Sequence, residues 1–120
     1  MDRYVRITNL TRGTTLATRC RVASSLRDRA VGLLRTPEVR TGEGLLIERS
    51  PSIHMFFMRY PIDVVFVDGR GLVTRTVSGL GPWHVVWWAR GARDCIELRA
   101  GALEGTGTAP GDRLSIGPLT

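Results

Sequence analysis

The sequence predicts a mainly β protein: a single compact β-sandwich or barrel-like domain over residues 1–120, with one short α-helix packed on it. A chain of 120 residues is near the commonest domain size, so one domain is expected. About eight short apolar segments follow one another at close spacing, separated by turns that contain Gly or Pro, which is typical of a sandwich or barrel. Only one segment has a clear helical period, although an α+β arrangement is also compatible with this pattern.

The N-terminal segments predict a β-hairpin with one solvated face. Arg3–Asn9 and Leu16–Val22 each alternate apolar and polar residues, and the turn between them contains Gly13. Two runs of period two joined by such a turn are typical of paired antiparallel strands. In the second strand, the residues expected to share the inner face are Leu16, Thr18, Cys20 and Val22.

The segment SSLRDRAVGLLRTP changes to a helical period and predicts the main helix. Ser25 with Asp28 resembles an N-terminal capping box, and Pro37 ends the pattern. The residues on its apolar face are Leu26, Ala30, Leu33 and Leu34.

The central stretch predicts two strands that are buried on both faces. Ile53–Met58 and Ile62–Val67 are almost continuously apolar, and we expect them to form a hairpin around Arg59-Tyr60-Pro61. Trp83–Ala89 is compatible with a strand or with an aromatic-rich loop. The other predicted elements are strands at Leu45–Glu48, Leu72–Val77, Asp94–Leu98 and Arg113–Ile116 and a helical turn at Ala100–Glu104.

Composition and charge favour a globular cytoplasmic protein. The net charge is +6, and all 17 basic residues are Arg. A basic surface can bind nucleic acid or an anionic membrane, but no window contains the five or six like charges of a nucleic-acid-binding arm. Nucleic acid is therefore disfavoured as a partner. No stretch has the length needed to span a bilayer, and the N-terminus lacks the pattern of a signal peptide.

The two cysteines, Cys20 and Cys95, are far apart in the sequence, and we expect both to be reduced and to fill the core. The sequence contains no phosphate-binding loop and no dinucleotide-binding fingerprint, so no cofactor is predicted.

Three polar residues within the central apolar stretch suggest a site. His54, Arg59 and Asp63 lie in a run where an isolated charge is costly unless it is paired. In a structural interpretation, Arg59 and Asp63 form a pair that sets a tight turn. In a functional interpretation, the three line a ligand pocket whose walls include Met58.

The same regions allow three other interpretations. His54, Met55 and Met58 could act as soft ligands for copper(I), but a strand would not place all three on one face, so no metal site is predicted. His54 or Asp63 could serve as the base of a hydrolase. The segment Trp83–Trp88 carries all three Trp residues and could form a protein-binding surface or, through Trp83, a pocket rim.

The segments RAVGLLRTP, HMFFMRYPIDVVFVDGRGLV and IELRAGALEGTGTAPGD, in this order, resemble the DUF192 family over residues from about Ala23 to Leu114. The resemblance implies a small, mostly β single domain, and no activity is established for the family. The residues that match its motif are Gly32, Leu33, Met58, Arg59, Pro61, Asp63, Glu97 and Gly101.

The chain departs from the family pattern at three places. Phe57 stands where many members have Trp, the turn after Met58 is shorter than usual, and Arg99 replaces a Pro.

Together these observations favour a non-enzymatic binding or accessory module whose ligand contacts include His54, Met58, Arg59, Asp63 and Trp83. Its partner would be a small molecule or another protein. A hydrolase and a protein-interaction domain are the alternatives.

Overall fold

The computed structural model describes residues 3–23, 39–51, 53–54, 60–86 and 89–119, and for residues 53 and 54 it describes the backbone alone. These residues form nine strands and one short helix. The elements are β1 Arg3–Asn9, β2 Thr14–Ala23, β3 Glu43–Ile47, β4 Ile53–His54, β5 Ile62–Val67, β6 Val73–Leu80, β7 Val85–Val86, β8 Asp94–Arg99, α1 Ala102–Thr106 and β9 Leu114–Gly117. The prediction of a mainly β fold with a short helix is confirmed.

Seven strands form one curled sheet in the order β6-β5-β8-β3-β2-β1-β9. Neighbouring strands are antiparallel except for β2 and β3, which are parallel. A single bridge between Leu72 and Arg113 joins the two outer ends of the sheet, which therefore forms a half-barrel closed at one end. Strands β4 and β7 pair separately as a small ribbon.

The closure at Leu72 depends on a close approach of two backbones. Gly71 has φ +83, and a Cβ atom at this position would lie 2.5 Å from the carbonyl oxygen of Leu114. The amide of Leu114 donates to the carbonyl of Gly71 at 2.8 Å. Any side chain at position 71 would therefore open the bridge that joins β6 to β9.

Two apolar clusters lie on the two faces of the sheet. The inner cluster takes residues from all seven strands and from Leu103 of α1, and includes Ile7, Val65 and Leu98. The outer cluster covers β3, β5 and β8 and packs against Val86 and Ala89. All six residues of β5 are buried, which confirms the expected burial of Ile62–Val67 on both faces.

Two predictions about strand geometry were wrong. Strand β5 pairs with β6 and β8 on its two sides, so it cannot form the predicted hairpin with the segment that begins at Ile53, and β4 pairs with β7 instead. In β2, Thr18 is exposed and Ala17 is buried, because register shifts against β1 change the phase of the strand. The predicted helix within residues 24–37 lies outside the described residues.

Within the described part of the chain, no helix is long and apolar enough to cross a membrane.

Candidate functional site

The structure describes only part of the pocket that the sequence suggested. Asp63 lies in β5, whereas the backbone of His54 pairs with Val85 in the small ribbon, two residues from Trp83. Met58 and Arg59 lie outside the described residues. Their predicted roles, including an ion pair between Arg59 and Asp63, stay predictions.

Asp63 is completely buried, and its carboxylate binds three backbone amides. Oδ1 accepts a hydrogen bond from the amide of Gly79 at 2.8 Å. Oδ2 accepts from the amides of Gly101 and Leu103 at 3.0 and 2.9 Å. Hydrogen bonds from N–H groups to a carboxylate are among the stronger ones in proteins. Asp63 therefore fixes the end of β6 and the start of α1 to the central strand β5.

The sequence around Gly79 explains how a β6 amide reaches Asp63. The pairing of β5 with β6 shifts between Ile62↔Leu80 and Val64↔Val77, so that two β6 residues, Ser78 and Gly79, lie opposite Asp63 alone. Gly79 has φ +62, the left-handed conformation that glycine adopts readily in a β-bulge. The bulge turns the Gly79 N–H toward the carboxylate.

A cleft of about 310 Å³ lies between α1, β2 and the turn that precedes β3. Its apolar lining comes from Leu16, Ala17 and Ala102, the first two of which are buried. Four hydroxyl-bearing residues also line the cleft: Thr15, Thr18, Thr41 and Thr106. An apolar surface with a few polar groups is typical of a small-ligand site.

Gly105 lines this cleft on the side of α1 and has no side chain to fill the space beside it. It lies inside α1, and a Cβ atom at its position would have no neighbour within 4 Å. Its φ is not in the left-handed region. Glycine inside a helix costs about 1 kcal/mol relative to alanine. Since neither backbone conformation nor crowding requires glycine here, the open space beside it is the structural consequence of this residue.

Glu43 and Arg99 place opposite charges on the lining of the cleft. The antiparallel ladder between β3 and β8 ends at Gly44↔Leu98, so Glu43 and Arg99 occupy the next cross-strand position. Both residues are exposed. Arg99 Nη1 donates to the carbonyl of Ala100 at 3.1 Å, and the ion pairs among the described residues do not include one between Arg99 and Glu43.

Glu97 is a second buried carboxylate, which the sequence-based predictions included only as part of a motif. It lies in β8 with no exposed surface, and its cross-strand neighbours are Leu45 and Val64. The signal in the sequence was an acidic residue inside the apolar run Cys95–Leu98. Asp63 and Glu97 lie on opposite faces of the sheet, since Asp63 pairs with Leu98, the next residue after Glu97.

Cys20 and Cys95 are buried, as expected for core residues, and neither forms a disulfide bond. Burial raises the pKa of the Cys20 thiol to about 12, and the nearby negative charge of Glu97 acts in the same direction. Because a thiolate is the reactive form, Cys20 is a poor nucleophile near neutral pH.

Trp83 lies on an exposed turn in an unusual backbone conformation. The amide of His84 donates to the carbonyl of Gly81 at 3.3 Å, which closes a turn with Pro82 and Trp83 in the middle. Trp83 has φ +68 and is 61% exposed. A left-handed φ is expected of Gly or Asn at the third position of such a turn and is an outlier for a bulky residue.

A polar network around Asp112, next to the Leu72–Arg113 bridge, is structural. Asp112 Oδ2 accepts from Asn9 Nδ2 at 3.0 Å, from Arg12 Nε at 3.0 Å and from the amide of Ala109 at 3.1 Å. Asn9 Nδ2 also donates to Thr108 at 3.2 Å. The hydrogen bond from Asn9, followed by that from Arg12, lowers the pKa of Asp112. These contacts join the β1–β2 turn to the loop before β9.

Among the described residues, no group of three His, Cys, Asp or Glu side chains is arranged to hold a metal ion.

Comparisons with known proteins identify the family. Residues 7–116 match the model of DUF192, described as an uncharacterized ACR. A UPF0127 protein from Thermococcus sibiricus is 30% identical over 110 residues, which cover 88% of this chain and 71% of that protein.

Two solved structures share the fold. One, from Sinorhizobium meliloti, is described as "a putative transcription regulator"; it has a TM-score of 0.80 and 22% identity and covers 97% of this chain and 94% of its own. The other, a protein of unknown function from Novosphingobium aromaticivorans, has a TM-score of 0.77 and 22% identity, with coverages of 95% and 84%. The match of the family model over most of the chain shows that this protein belongs to the DUF192 family.

Proposed function

We propose that the protein is a small, non-enzymatic binding module whose ligand occupies the cleft beside α1. The observation that carries the proposal is the open space at Gly105, next to an apolar lining and two charged side chains. The volume of the cleft lies at the lower end of the range of ligand pockets, about 300–1,000 Å³.

Asp63 supports this proposal as a positioning residue. The two hydrogen bonds of its Oδ2 hold Gly101 and Leu103 at the start of α1, and Ala102 and Gly105 of the same helix line the cleft. His54, Met58 and Arg59 stay candidate contacts of a second pocket near the start of β5. In that pocket Arg59 would supply donors to an anionic or carbonyl group.

The test is native mass spectrometry and thermal unfolding across a metabolite library, with variants that separate the two locations. Gly105→Leu fills the cleft, and Glu104→Leu adds similar bulk to α1 at a residue that does not line it. Arg59→Ala tests the second pocket. We expect stabilisation by a ligand in the wild type and Glu104→Leu, and none in Gly105→Leu. Stabilisation that survives Gly105→Leu but disappears in Arg59→Ala would move the site to the second pocket, and no stabilisation of any variant would refute a binding function.

A hydrolase that uses Asp63 as base has little geometric support. The carboxylate has no exposed surface and both of its oxygens accept hydrogen bonds from backbone amides, so a substrate atom has no access to it. A general base must lie within about 3 Å of the proton that it removes.

A protein-interaction role is a second candidate because of Trp83. Large aromatic residues are enriched at interfaces, and backbone strain is often retained at functional positions. Size-exclusion chromatography over a range of protein concentrations should show weaker association for Trp83→Ala. Leu10→Ala, which truncates another exposed apolar side chain, is the control. Equal behaviour of the two variants would remove this candidate.

Nucleic acid is not proposed as a partner. The description of the Sinorhizobium meliloti protein applies to that protein, because a sequence identity of 22% supports a shared fold but not a shared function. We propose a cytoplasmic location, which is supported by two buried cysteines that form no disulfide bond, since disulfide bonds are rare in reducing compartments. Fractionation of cells that express the tagged protein tests this location.

A further inference from the structure

We propose that the cleft beside α1 binds a small zwitterion with an apolar body, namely a free α-amino acid with an aliphatic side chain. In this arrangement Arg99 binds the carboxylate, Glu43 binds the ammonium group and the apolar lining takes the side chain. The inference rests on the proposed binding function and names its ligand class.

The two charges are suited to a ligand that carries both signs. Glu43 and Arg99 follow the last pair of the β3–β8 ladder, at directly opposite positions where unlike charges would normally pair. Arg99 instead turns toward α1: its Nη1 bonds to the Ala100 carbonyl and lies 3.5 Å from the Cβ position of Gly101. The guanidinium has five N–H donors in all, so others remain for a carboxylate.

Glu43 has a second neighbour that does not neutralise it. Its register partner in the parallel strand β2 is Arg19. The guanidinium carbon of Arg19 lies 4.0 Å from the centre of the Tyr4 ring, on which it stacks. The ion pairs among the described residues include none between Arg19 and Glu43. Glu43 therefore offers its carboxylate to a cation in the cleft.

The hydroxyl group of Thr18 favours a ligand with an N–H donor. Thr18 Oγ1 donates to the carbonyl of Gly42 at 3.2 Å, whereas Thr106 Oγ1 already has two partners, the carbonyl of Ala102 at 2.8 Å and Thr108 Oγ1 at 2.7 Å. Because a hydroxyl has one proton, the Thr18 oxygen faces a further partner as an acceptor. An ammonium group suits this acceptor better than a second carboxylate does. An uncharged apolar ligand would leave both charges unused.

The size of the cleft limits the ligand to a small molecule. A space of about 310 Å³ at an exposed site suits one amino acid. Leu16, which is 5% exposed, and the partly exposed Ala102 provide the apolar surface against which an aliphatic side chain packs. Gly105 supplies the room on the helix side, and its replacement by a larger residue would close the cleft.

The experiment compares three related ligands by isothermal titration and by NMR of the labelled full-length chain. L-leucine carries both charges, 4-methylpentanoate only the carboxylate and 3-methylbutylamine only the ammonium group. We expect L-leucine to bind at least about ten times more tightly than either partial ligand, since a hydrogen-bonded charge contributes about that factor. Shifts of the amide signals of Gly42, Gly105 and Thr106 should report its position.

Five variants complete the test. Arg99→Gln and Glu43→Gln should each weaken the binding of L-leucine by about ten-fold, because each removes one charged contact. Glu104→Gln is the matched control and should bind like the wild type. Gly105→Ala, a change that adds one methyl group to open space and should fold normally, should weaken binding, and Gly105→Leu should abolish it.

The outcomes separate this inference from the proposed function. Equal binding of 4-methylpentanoate and L-leucine would overturn the zwitterion. A library compound without both charges that binds the wild type and is excluded by Gly105→Leu would also overturn it while supporting the binding function. Failure of every ligand, with unchanged amide signals at Gly105 in the folded wild type, would refute both.

Discussion

Replacing Asp63 by asparagine should destabilise the protein far more than the same substitution at the surface. Asparagine has nearly the same shape but only one acceptor oxygen, and its other terminal group is a donor. In the wild type, Oδ1 accepts from Gly79 and Oδ2 from Gly101 and Leu103. Whichever way the side-chain amide of the new asparagine is oriented, its NH₂ group therefore faces at least one backbone N–H donor.

The magnitude follows from the number of amides affected. A buried N–H without an acceptor costs about 1–3 kcal/mol, and the hydrogen bonds that remain lose the contribution of the charge, so we expect a loss of about 2–4 kcal/mol. Asp63→Ala leaves all three amides without this acceptor and should cost about 4 kcal/mol or more, a large part of the roughly 5–15 kcal/mol that stabilises a typical domain.

The assay is urea unfolding at neutral pH, monitored by circular dichroism, with Asp68→Asn as the matched control. Asp68 Oδ1 also accepts from two amides, those of Arg70 at 2.8 Å and Leu72 at 3.0 Å, but it lies in a partly exposed turn. Asparagine suits such turns, so the control should lose less than about 1 kcal/mol. The Asp63→Asn variant should have a lower midpoint with a similar slope.

Hydrogen exchange gives an independent readout of the same contacts. The amides of Gly79, Gly101 and Leu103 should lose protection in Asp63→Asn before the remaining strand amides do. Equal midpoints for Asp63→Asn and Asp68→Asn, with unchanged protection of these three amides, would refute the reasoning.

Three further predictions concern single groups. The thiol of Cys20, with its pKa raised to about 12, should react with a thiol reagent near neutral pH only after unfolding. Because its pKa in the folded protein exceeds that in the unfolded chain, about 9, the thiol should lower the free energy of unfolding as the pH rises from about 9 to about 12. In thermal melts, a Cys20→Ala variant should lose less stability over this range. Asp112 has a pKa below its usual 3.8, so its contribution to the stability of the fold is present above about pH 4 and is lost as the pH falls further. Acid titrations should therefore show a smaller loss of stability for Asp112→Asn than for the wild type. An equal loss would contradict the role of the hydrogen bond from Asn9. Gly79→Ala should destabilise the protein by about 1–3 kcal/mol because position 79 has φ +62. Gly105→Ala should stabilise it by up to about 1 kcal/mol, because alanine favours the helix and its Cβ meets open space. Chemical denaturation measures both changes, and the reverse order would contradict the conformations given for the two glycines.

Local features of this fold could be predicted from the sequence. The bounds of β1 agree with the predicted Arg3–Asn9, because strict alternation between a core and a solvated face leaves a clear pattern. The continuous apolar run at Ile62–Val67 indicated burial on both faces. In the structure, β5 lies between β6 and β8, and all six of its residues are buried. The short helix after Arg99 was also expected, although its bounds are Ala102–Thr106 rather than Ala100–Glu104.

Pairing between distant segments could not be predicted in the same way. The segment that begins at Ile53 pairs with Val85 and Val86, more than thirty residues later, and period-two alternation carries no information about the partner strand. The bulge at Gly79 is similar: a lone glycine in a strand is compatible with a bulge, a bend or a turn. Only the position of Asp63 opposite it explains why the chain adopts the bulge there.

The buried carboxylate itself was recognised, but its backbone partners were not. The sequence indicated that Asp63 needs compensation, and the nearest residue able to provide it was Arg59. In the structure, backbone amides 16, 38 and 40 residues away provide three hydrogen bonds. Any residue type except proline can supply a backbone N–H, so such partners leave no signature in side-chain chemistry.

This arrangement explains why a short helix has a defined position beside the cleft. An isolated helix of five residues is not stable in water, so α1 depends on tertiary contacts. Leu103 packs into the inner cluster, but apolar packing alone tolerates small shifts and rotations. The hydrogen bonds from these two amides to Asp63 Oδ2 are directional and remove that freedom, because any rotation of α1 would deprive the buried carboxylate of two of its three donors. The buried carboxylate thus determines where Gly105 lies relative to Arg99 and Glu43, and with it the shape of the cleft.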